Sequence, residues 1–372
     1  MKAILHRLSI LLLAGLACIA AGCTVGGGAA PTKAAADDAG PVAAKPLLRD
    51  PVFDGAADPV LVYNRERGRW WMLYTNRRAT AQGLPGVSWV HGTRIGIAES
   101  PDGGAHWDYL GTADIELPPT MGGADATHWA PDIVRGDDGL YHMFLTVVPG
   151  VFQDWKHPRT IVHLTSSDLR AWHHARVVPL ANEKVIDASL ARLPDGGWRL
   201  WYNNELDGKK TWYADSPDLE HWTDRGRALD QRGEGPKVFR WRGAWWLILD
   251  LWRGLGVYRS SDALHWHAQP GALLAEPGQG ADDGVIGGHA DVVVSGERAW
   301  LFYFTHPGRR GADAKADGPA QRRSVIQVAE LQEAGGVLGV ERDRPAHMRL
   351  LPEAPPKNND RAARAGAAAP SN

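Results

Sequence analysis

Short stretches of alternating apolar and polar residues recur along the middle of the chain, and each leads through a turn into an aromatic-rich segment. Alternation with a period of two is typical of β-strands, and Gly-Asp-Asp-Gly at 136–139 and Pro-Asp-Gly-Gly at 194–197 predict hairpin turns between them. No stretch of the middle keeps a helical period, so the pattern predicts an all-β fold. Five copies of the pattern open on a polar residue, namely Asp58, Asp132, Asp187, Glu234 and His289.

A second repeat runs out of phase with the first. Four segments place a Ser-Asp turn shortly before a tryptophan: Ser100 to Trp107, Ser167 to Trp172, Ser216 to Trp222 and Ser261 to Trp266. Their spacing of about 45–65 residues suits four-stranded propeller blades, and we interpret the motif as structural, with the tryptophan packed between sheets. The two repeats together predict a five-bladed β-propeller of four-stranded antiparallel blades around a central channel, with 323–330 as the outer strand of the fifth blade.

The two ends of the chain differ from the middle. Lys2 and Arg7 precede an apolar run at 8–20, as in a signal peptide, and Ala20-Ala21-Gly22-Cys23 resembles a bacterial lipobox. We therefore predict an exported protein that is anchored to the cell envelope through Cys23 or released to the periplasm or medium. The predicted segments are a signal peptide with lipobox at 1–23, a flexible linker at 24–46, the propeller at 47–352 and a disordered tail at 353–372.

Composition narrows the function further. The chain of 372 residues has 41 Lys and Arg against 43 Asp and Glu, and this balance, without a basic stripe, argues against a nucleic-acid partner. Its 17 tryptophans suit both blade cores and a carbohydrate-stacking surface. Cys18 and Cys23 are the only cysteines, so the mature domain is predicted to have neither a disulfide nor cysteine chemistry.

The polar openings carry the candidate chemistry. A propeller places equivalent strand positions around one channel, so the five openings are predicted to form a single ring. Carboxylates are costly to cluster unless they are hydrated, paired or shifted in pKa. Hydrolysis of a glycosidic bond needs two of them: one protonates the leaving oxygen, and the other activates water or attacks the anomeric carbon.

At these openings the chain resembles glycoside hydrolase family 43. The matching motifs occur in the family's order: Ala57-Asp58-Pro59, Trp129-Ala130-Pro131-Asp132, Ile186-Asp187-Ala188-Ser189, Glu234-Gly235-Pro236 and Gly288-His289. The resemblance implies an inverting glycosidase that acts on poly- or oligosaccharides. Asp58 would be its general base and Glu234 its general acid, while Asp187 would orient Glu234 and keep it protonated. Ala188 departs from the family, which usually has proline there.

The resemblance also implies the remaining site residues. Trp129, Asp132 and Arg309 would contact the sugar, although Asp132 equally suits a hydrogen bond to the backbone of a neighbouring blade. No cofactor is required, but His289 matches a fifth-blade histidine that approaches a metal ion or water cluster in the channel. The usual ion in that position is calcium, which would be structural.

Three alternatives to this function stay open at the level of the sequence. A retaining fructan-active propeller expects Asn-Asp-Pro-Asn, where this chain has Ala57-Asp58-Pro59-Val60. Carboxyl groups about 5 Å apart would indicate retention, and about 6.5–9.5 Å inversion. A propeller glycoside phosphorylase needs a basic phosphate-binding cluster. A non-catalytic carbohydrate-binding lipoprotein would keep the tryptophan platform without using the acids.

Overall fold

The computed structural model describes residues 40–353, which form five β-sheets arranged as the blades of a propeller. The predicted signal peptide, Cys23 and most of the predicted linker and tail lie outside the described residues. Within residues 40–353, no helix is both long enough and apolar enough to cross a bilayer.

Each blade contains four antiparallel strands in chain order from the channel outward. Blade 1 consists of β1 (Ala56–Asn64), β2 (Arg69–Asn76), β3 (Arg94–Ser100) and β4 (Asp108–Thr112). A short β5 (Asp114–Ile115) joins the outer edge of blade 2, where it runs parallel to β9. Blade 2 itself consists of β6 (Thr127–Arg135), β7 (Tyr141–Val148), β8 (Thr160–Ser166) and β9 (Ala171–Val177).

The last three blades repeat this order. Blade 3 consists of β10 (Val185–Arg192), β11 (Trp198–Asn204), β12 (Lys210–Ser216) and β13 (Thr223–Arg232). Blade 4 consists of β14 (Glu234–Trp241), β15 (Ala244–Asp250), β16 (Leu255–Ser260) and β17 (His267–Ala268). Blade 5 consists of β18 (Gly288–Ser295), β19 (Arg298–Thr305), β20 (Val325–Ala334) and β21 (Val337–Val340). The predicted five-bladed propeller is confirmed.

Helices within residues 40–353 are short, as the absence of a helical period predicts. Single 3₁₀ turns occur at Pro119–Met121, Gly123–Asp125, Glu205–Asp207 and Gly311–Asp313. One α-helical turn, α1, spans Pro319–Arg322 in the long loop of blade 5.

The aromatic second strands form the packing between blades. Trp71, Trp246 and Trp300 occupy equivalent positions in blades 1, 4 and 5, and all three are fully buried. Burying a side chain of this size stabilises the fold by roughly 2–3 kcal/mol, so the aromatic strands contribute strongly to holding the blades together.

The Ser-Asp-Trp repeat is structural. In all four copies a serine hydroxyl lies 2.9–3.3 Å from the carboxylate two residues later, and these serines are Ser100, Ser166, Ser216 and Ser260. In blades 2 and 4 the turn therefore uses the serine one position before the predicted Ser167 and Ser261.

The structure corrects two further predictions, the outer strand of blade 5 and the first residue of the propeller. The outer strand of blade 5 is β21, and the segment predicted for that place forms β20, the third strand. The fold also begins before residue 47, because Val42 pairs with His347.

A β-bulge near the start of every innermost strand brings the functional residues to one end of the channel. The strand register shifts between Ala57 and Val60 in blade 1 and at the equivalent places in the other four blades. The first bulge residue has a positive φ in each blade: Asp58 (50°), Ala130 (41°), Asp187 (59°), Gly235 (56°) and His289 (20°). Non-glycine residues in this region cost of order 1–3 kcal/mol each, so the four non-glycine bulge residues are held in strained backbone at this end of the channel.

The prediction that all five polar openings form one ring is wrong. Asp58, Asp187 and His289 share the first bulge position, but Glu234 lies one residue earlier and Asp132 lies two residues later. Side chains of a strand alternate between faces, so a shift of one residue turns a side chain to the other face, and a shift of two residues moves it along the strand away from the bulge. Sequence spacing alone did not show the bulge.

Candidate active site

The bulged ends of the inner strands open into a pocket of about 1260 Å³. All five blades contribute to its lining. The sequence-predicted residues that line it are Asp58, Trp129, Asp187, Glu234, His289 and Arg309, whereas Asp132 does not. Asp58, Asp187 and Glu234 come from three different blades, and the first and last of them are more than 170 positions apart in the sequence. All three nevertheless line one cavity.

Asp58 is buried and paired with cationic groups. Both of its oxygens accept hydrogen bonds from the Arg77 guanidinium, at 2.9 and 3.2 Å, and His289 Nδ1 lies 3.5 Å away. Burial by itself would raise the pKa of Asp58, but the charges of Arg77 and His289, with a hydrogen bond from Thr75, hold this pKa below its ordinary value. Asp58 is therefore an ionised carboxylate at neutral pH.

Asp187 has the opposite character. Burial, together with repulsion from Glu234 and Asp58, raises the pKa of Asp187 to about 7, against the opposing charge of His289. Its Oδ2 accepts a hydrogen bond from the Gly235 backbone N–H at 3.0 Å. Near neutral pH the site therefore holds both an ionised acid and an acid that binds a proton.

Gly235 makes the close approach of these groups possible. Its φ is +56°, and a Cβ built there would lie 2.7–2.9 Å from the ring of His289. Only glycine fits this position without displacing the histidine, which explains on steric grounds why glycine follows Glu234.

Glu234 is the most accessible of the three predicted acids, with 28% of its side chain exposed. Its Oε2 accepts a hydrogen bond from Lys209 at 3.0 Å, and its Oε1 accepts one from the Trp252 indole at 2.8 Å. Lys209 also pairs with Glu205 at 3.0 Å, and Glu205 pairs in turn with Arg159. This ion-pair chain fixes the carboxyl group of Glu234 at the wall of the pocket.

Asp250 is a fourth acid of the site, which sequence reasoning missed. It lies directly opposite Glu234 across β14 and β15, and it accepts backbone hydrogen bonds from His289 at 2.9 Å and from Trp252 at 2.7 Å. Burial and the charge of Glu234 raise the pKa of Asp250 to about 6. Asp250 therefore links the backbone of Trp252, whose indole contacts Glu234, to the backbone of His289, whose ring lies beside Asp58.

The other blades show what the position of Asp250 does structurally. Thr75 and Thr146 lie at the equivalent place near the ends of the second strands of blades 1 and 2, and their hydroxyls accept the bulge N–H groups of Ala130 and Asp187 at 2.8 and 3.0 Å. A hydroxyl is thus sufficient to accept the backbone N–H, so this contact alone does not require the carboxyl group that blade 4 has in Asp250. The signal in the sequence was an acid at the end of an aromatic strand.

Aromatic side chains form one wall of the pocket. The predicted Trp129 donates its indole N–H to the Val90 carbonyl at 2.6 Å, and its ring lies 6.0 Å from that of Trp155, which is half exposed. Trp89 also lines the pocket and comes from the loop at 83–92, which has no family motif. Flat apolar faces beside carboxyl groups suit the binding of a sugar ring.

Asp132 contacts the neighbouring blade and a buried cation instead of the pocket. Its Oδ2 accepts the Leu190 N–H at 2.6 Å, and its Oδ1 accepts a hydrogen bond from Lys237 at 3.0 Å. Lys237 also forms an ion pair with Asp291 at 2.7 Å. Of the two roles that the sequence left open for Asp132, the observed contacts are those of the backbone role.

His289 lies among the carboxylates of the pocket: its Nδ1 is 3.5 Å from Asp58 Oδ1, and its ring packs against the Gly235 backbone. The calcium ion predicted beside His289 stays a prediction. Burial would lower the pKa of His289, but the charges of the nearby acids raise it above its ordinary value. Among the described residues, the one group of three metal-ligand side chains within mutual reach is His142, His163 and Glu220, and none of them lines the pocket.

Arg309 lies at the pocket edge in the long loop of blade 5. Its Nε donates to the Gln321 carbonyl at 3.1 Å, and no ion pair to a carboxylate is found for it among the described side chains. Burial and the nearby positive charge of Arg77 lower the pKa of Arg309, which remains fully charged at neutral pH.

Comparison with solved structures shows that this propeller fold is shared with glycoside hydrolases of family 43. A thermostable family-43 glycoside hydrolase superposes with a TM-score of 0.56 at 16% identity, over 82% of this chain and 99% of that chain. A family-43 enzyme of Xanthomonas citri in complex with xylotriose gives a TM-score of 0.56 at 16% identity, over 79% and 93% of the two chains. A family-43 β-1,3-galactosidase with galactodeoxynojirimycin gives 0.56 at 13% identity, over 78% and 95%. Comparisons with protein-family models and with curated proteins find no match.

Proposed function

We propose that this protein is an inverting glycoside hydrolase that cleaves oligo- or polysaccharides. The observation that carries the proposal is the gathering of Asp58, Asp187 and Glu234 in one pocket beside an aromatic wall. The shared fold with solved glycosidases supports it, and the xylotriose and galactose-analogue complexes of those proteins suggest pentose or galactose-type units as first substrates to assay.

The mechanism assigns each acid one task. Asp58, ionised because Arg77 and His289 stabilise its charge, removes a proton from a water molecule that attacks the anomeric carbon. Glu234 gives a proton to the glycosidic oxygen as the bond between that oxygen and the anomeric carbon breaks. The new bond forms on the opposite face of the sugar, so the product has inverted configuration.

Asp187 is the positioning residue of this mechanism. Its carboxyl binds the N–H of Gly235, the residue after Glu234, and thereby orients the start of β14. Because the pKa of Asp187 is raised to about 7, it binds a proton below that pH and removes one negative charge beside Glu234. Lys209 and the Trp252 indole each donate a hydrogen bond to one oxygen of Glu234, and these two contacts orient its carboxyl group in the pocket.

Activity of matched variants on aryl glycosides tests the proposal. Asp58→Asn and Glu234→Gln should each reduce kcat/KM by roughly 10²–10⁴-fold, while Glu297→Gln, an exposed change on the turn between β18 and β19, should leave it unchanged. The loss in Glu234→Gln should become small for a dinitrophenyl leaving group, which needs no proton, but the loss in Asp58→Asn should persist. Unchanged activity of both variants with folding intact would refute the proposal.

The stereochemistry and the acceptor separate this function from its alternatives. Proton NMR of the first product should show the anomer opposite to that of the substrate, and the same anomer would indicate the retaining mechanism. Turnover that requires inorganic phosphate would indicate a phosphorylase. Saturable oligosaccharide binding with no product after prolonged incubation would indicate a carbohydrate-binding propeller.

Export and anchoring at Cys23 belong to the same proposal. The supporting observation is the order of residues up to Cys23: two basic residues come first, an apolar run follows, and small residues directly precede the cysteine. Detergent phase partitioning of cells that produce the protein should place it in the detergent phase, and Cys23→Ser should move it to the aqueous phase. An aqueous wild-type protein of the mature mass would indicate simple secretion.

A further inference from the structure

The pocket carries more permanent positive charge than its acids neutralise. Seven Lys and Arg side chains line it against five Asp and Glu side chains, in a chain whose formal net charge is −2. A local excess of one sign in a concave site focuses the field and attracts ligands of the opposite sign.

Three of the seven cations are neutralised within the site. Arg77 pairs with Asp58, Lys209 pairs with Glu234, and Arg159 pairs with Glu205. Among the side chains that the structure describes, no carboxylate ion pair is found for the other four, which are Lys184, Arg232, Arg309 and Arg310. The positive excess therefore comes from these four residues.

Arg232 is the best-placed of them for binding a ligand. Its guanidinium lies 5.0 Å from the ring centroid of Trp252, and the indole of Trp252 donates to Glu234 at 2.8 Å. Stacking on the ring holds the guanidinium in place without neutralising it, so its N–H donors remain available for a bidentate contact. Lys184 lies on the side of the pocket that Glu205, Lys209 and Glu234 form, because its carbonyl accepts the N–H of Glu205, which pairs with Lys209.

The side of the pocket that contains Glu234 and Arg232 is the leaving-group side of the site. A general acid must lie next to the oxygen that leaves, so the part of the glycan beyond the cleaved bond passes Glu234. A phosphate co-substrate would attack from the opposite side, beside Asp58. The location of Arg232 thus favours an anion on the glycan over a free phosphate.

We propose, on the basis of the glycosidase function above, that the substrate carries a carboxylate or sulfate group on the leaving-group side of the cleaved bond, bound by Arg232 with Lys184 nearby. The substrate class is then a uronate-containing or sulfated glycan. Guanidinium groups match both anions geometrically, so the two sources share one recognition chemistry.

Binding to a variant that does not turn over tests the proposal independently of catalysis. Calorimetric titration of Asp58→Asn would use uronate oligosaccharides and their carboxyl-reduced counterparts, and sulfated oligosaccharides with their desulfated counterparts. In at least one pair the anionic member should bind roughly three- to tenfold more tightly, and added salt should reduce this preference. The pair that shows it identifies the anion.

Two further variants locate the contact. Adding Arg232→Gln should remove most of the preference and leave binding of the neutral ligand unchanged. Arg259→Gln is the matched control, because Arg259 is also exposed and stacks on a tryptophan, Trp246 at 5.8 Å, but lies outside the pocket. It should change neither affinity.

The outcomes separate this inference from the proposed function. Equal affinity for anionic and neutral members in both pairs, or a preference that survives Arg232→Gln, would overturn the inference and leave hydrolysis standing. A preference that Arg232→Gln removes, in a wild-type protein that releases no product from any glycan, would support the anionic ligand and overturn the hydrolase. Phosphate-dependent cleavage with a sugar phosphate as product would assign the cations to a co-substrate and also overturn the inference.

Discussion

Lys237 is the shared counter-charge of two buried carboxylates in the channel, and its replacement by methionine tests how far the fold depends on that charge. Lys237 lies 3.0 Å from Asp132 and 2.7 Å from Asp291, and these two acids are 4% and 2% exposed. Both acids also accept backbone N–H groups of the next blade, from Leu190 and Leu61. Methionine keeps the volume of lysine but leaves the two carboxylates without a counter-charge.

The expected loss follows from the burial of these charges. Removing one partner of a buried ion pair costs about 3–5 kcal/mol. Unfolding entropy of about 2.1 cal/mol/K per residue over about 310 described residues gives roughly 0.65 kcal/mol/K, so Tm should fall by about 5–8 °C. Burial, further assisted by Asp291, raises the pKa of Asp132 even with Lys237 present, so the folded state binds this proton more tightly than the unfolded state. The deficit should therefore grow as pH rises from 5 to 8.

Thermal unfolding followed by circular dichroism at pH 5 and pH 8 measures both effects. Lys210→Met is the matched control, because Lys210 forms an exposed ion pair with Asp230 at 3.5 Å and should lose at most about 1 kcal/mol. A Lys237→Met protein that melts within about 1 °C of wild type at pH 8 would refute the buried-charge reasoning. So would a deficit larger at pH 5 than at pH 8.

Three more predictions concern the pocket. Asp250→Thr keeps an acceptor of the type that Thr75 supplies in blade 1 but removes a carboxyl whose folded pKa is raised to about 6, so its ionisation destabilises wild type as pH rises. The free energy of urea unfolding of the variant minus that of wild type should therefore be roughly 1–3 kcal/mol more positive at pH 8 than at pH 4, and an equal difference at both pH values would contradict this. Gly235→Ala should cost at least about 1–3 kcal/mol in the same assay, because its φ is +56° and the Cβ would meet the ring of His289; a neutral effect would mean that the strand start is not constrained. For Asp187→Asn, the alkaline limb of kcat/KM near pH 7 should disappear along with most of the activity, and a limb that stays in place would assign it to another group.

Prediction from the sequence was most successful where local physics decides the structure. Alternating apolar residues and aromatic strands predicted the blades, and the five polar openings together with the four Ser-Asp turns predicted their number. The order of the acidic openings predicted that Asp58, Asp187 and Glu234 converge, and the pocket contains all three. Neither of these conclusions needed the exact strand boundaries.

Sequence reasoning failed where a single residue of register matters. The bulge in each innermost strand separates Glu234 and Asp132 from the position shared by Asp58 and Asp187, and no residue pattern marks a bulge unambiguously. Asp250 was missed for a related reason, since only cross-strand pairing places it opposite Glu234.

The sequence by itself determined the architecture and three of the acids that line the pocket, because strand periodicity and repeat spacing are local properties of the chain. Only the tertiary structure decided the charge states of Asp58 and Asp187. Asp58 has both Arg77 and His289 beside it, whereas the charge of His289 on Asp187 is opposed by repulsion from Glu234 and Asp58, so the pKa values of two buried aspartates in equivalent positions shift in opposite directions. That difference arises from contacts between distant parts of the chain, and such contacts exist only once the ring has closed.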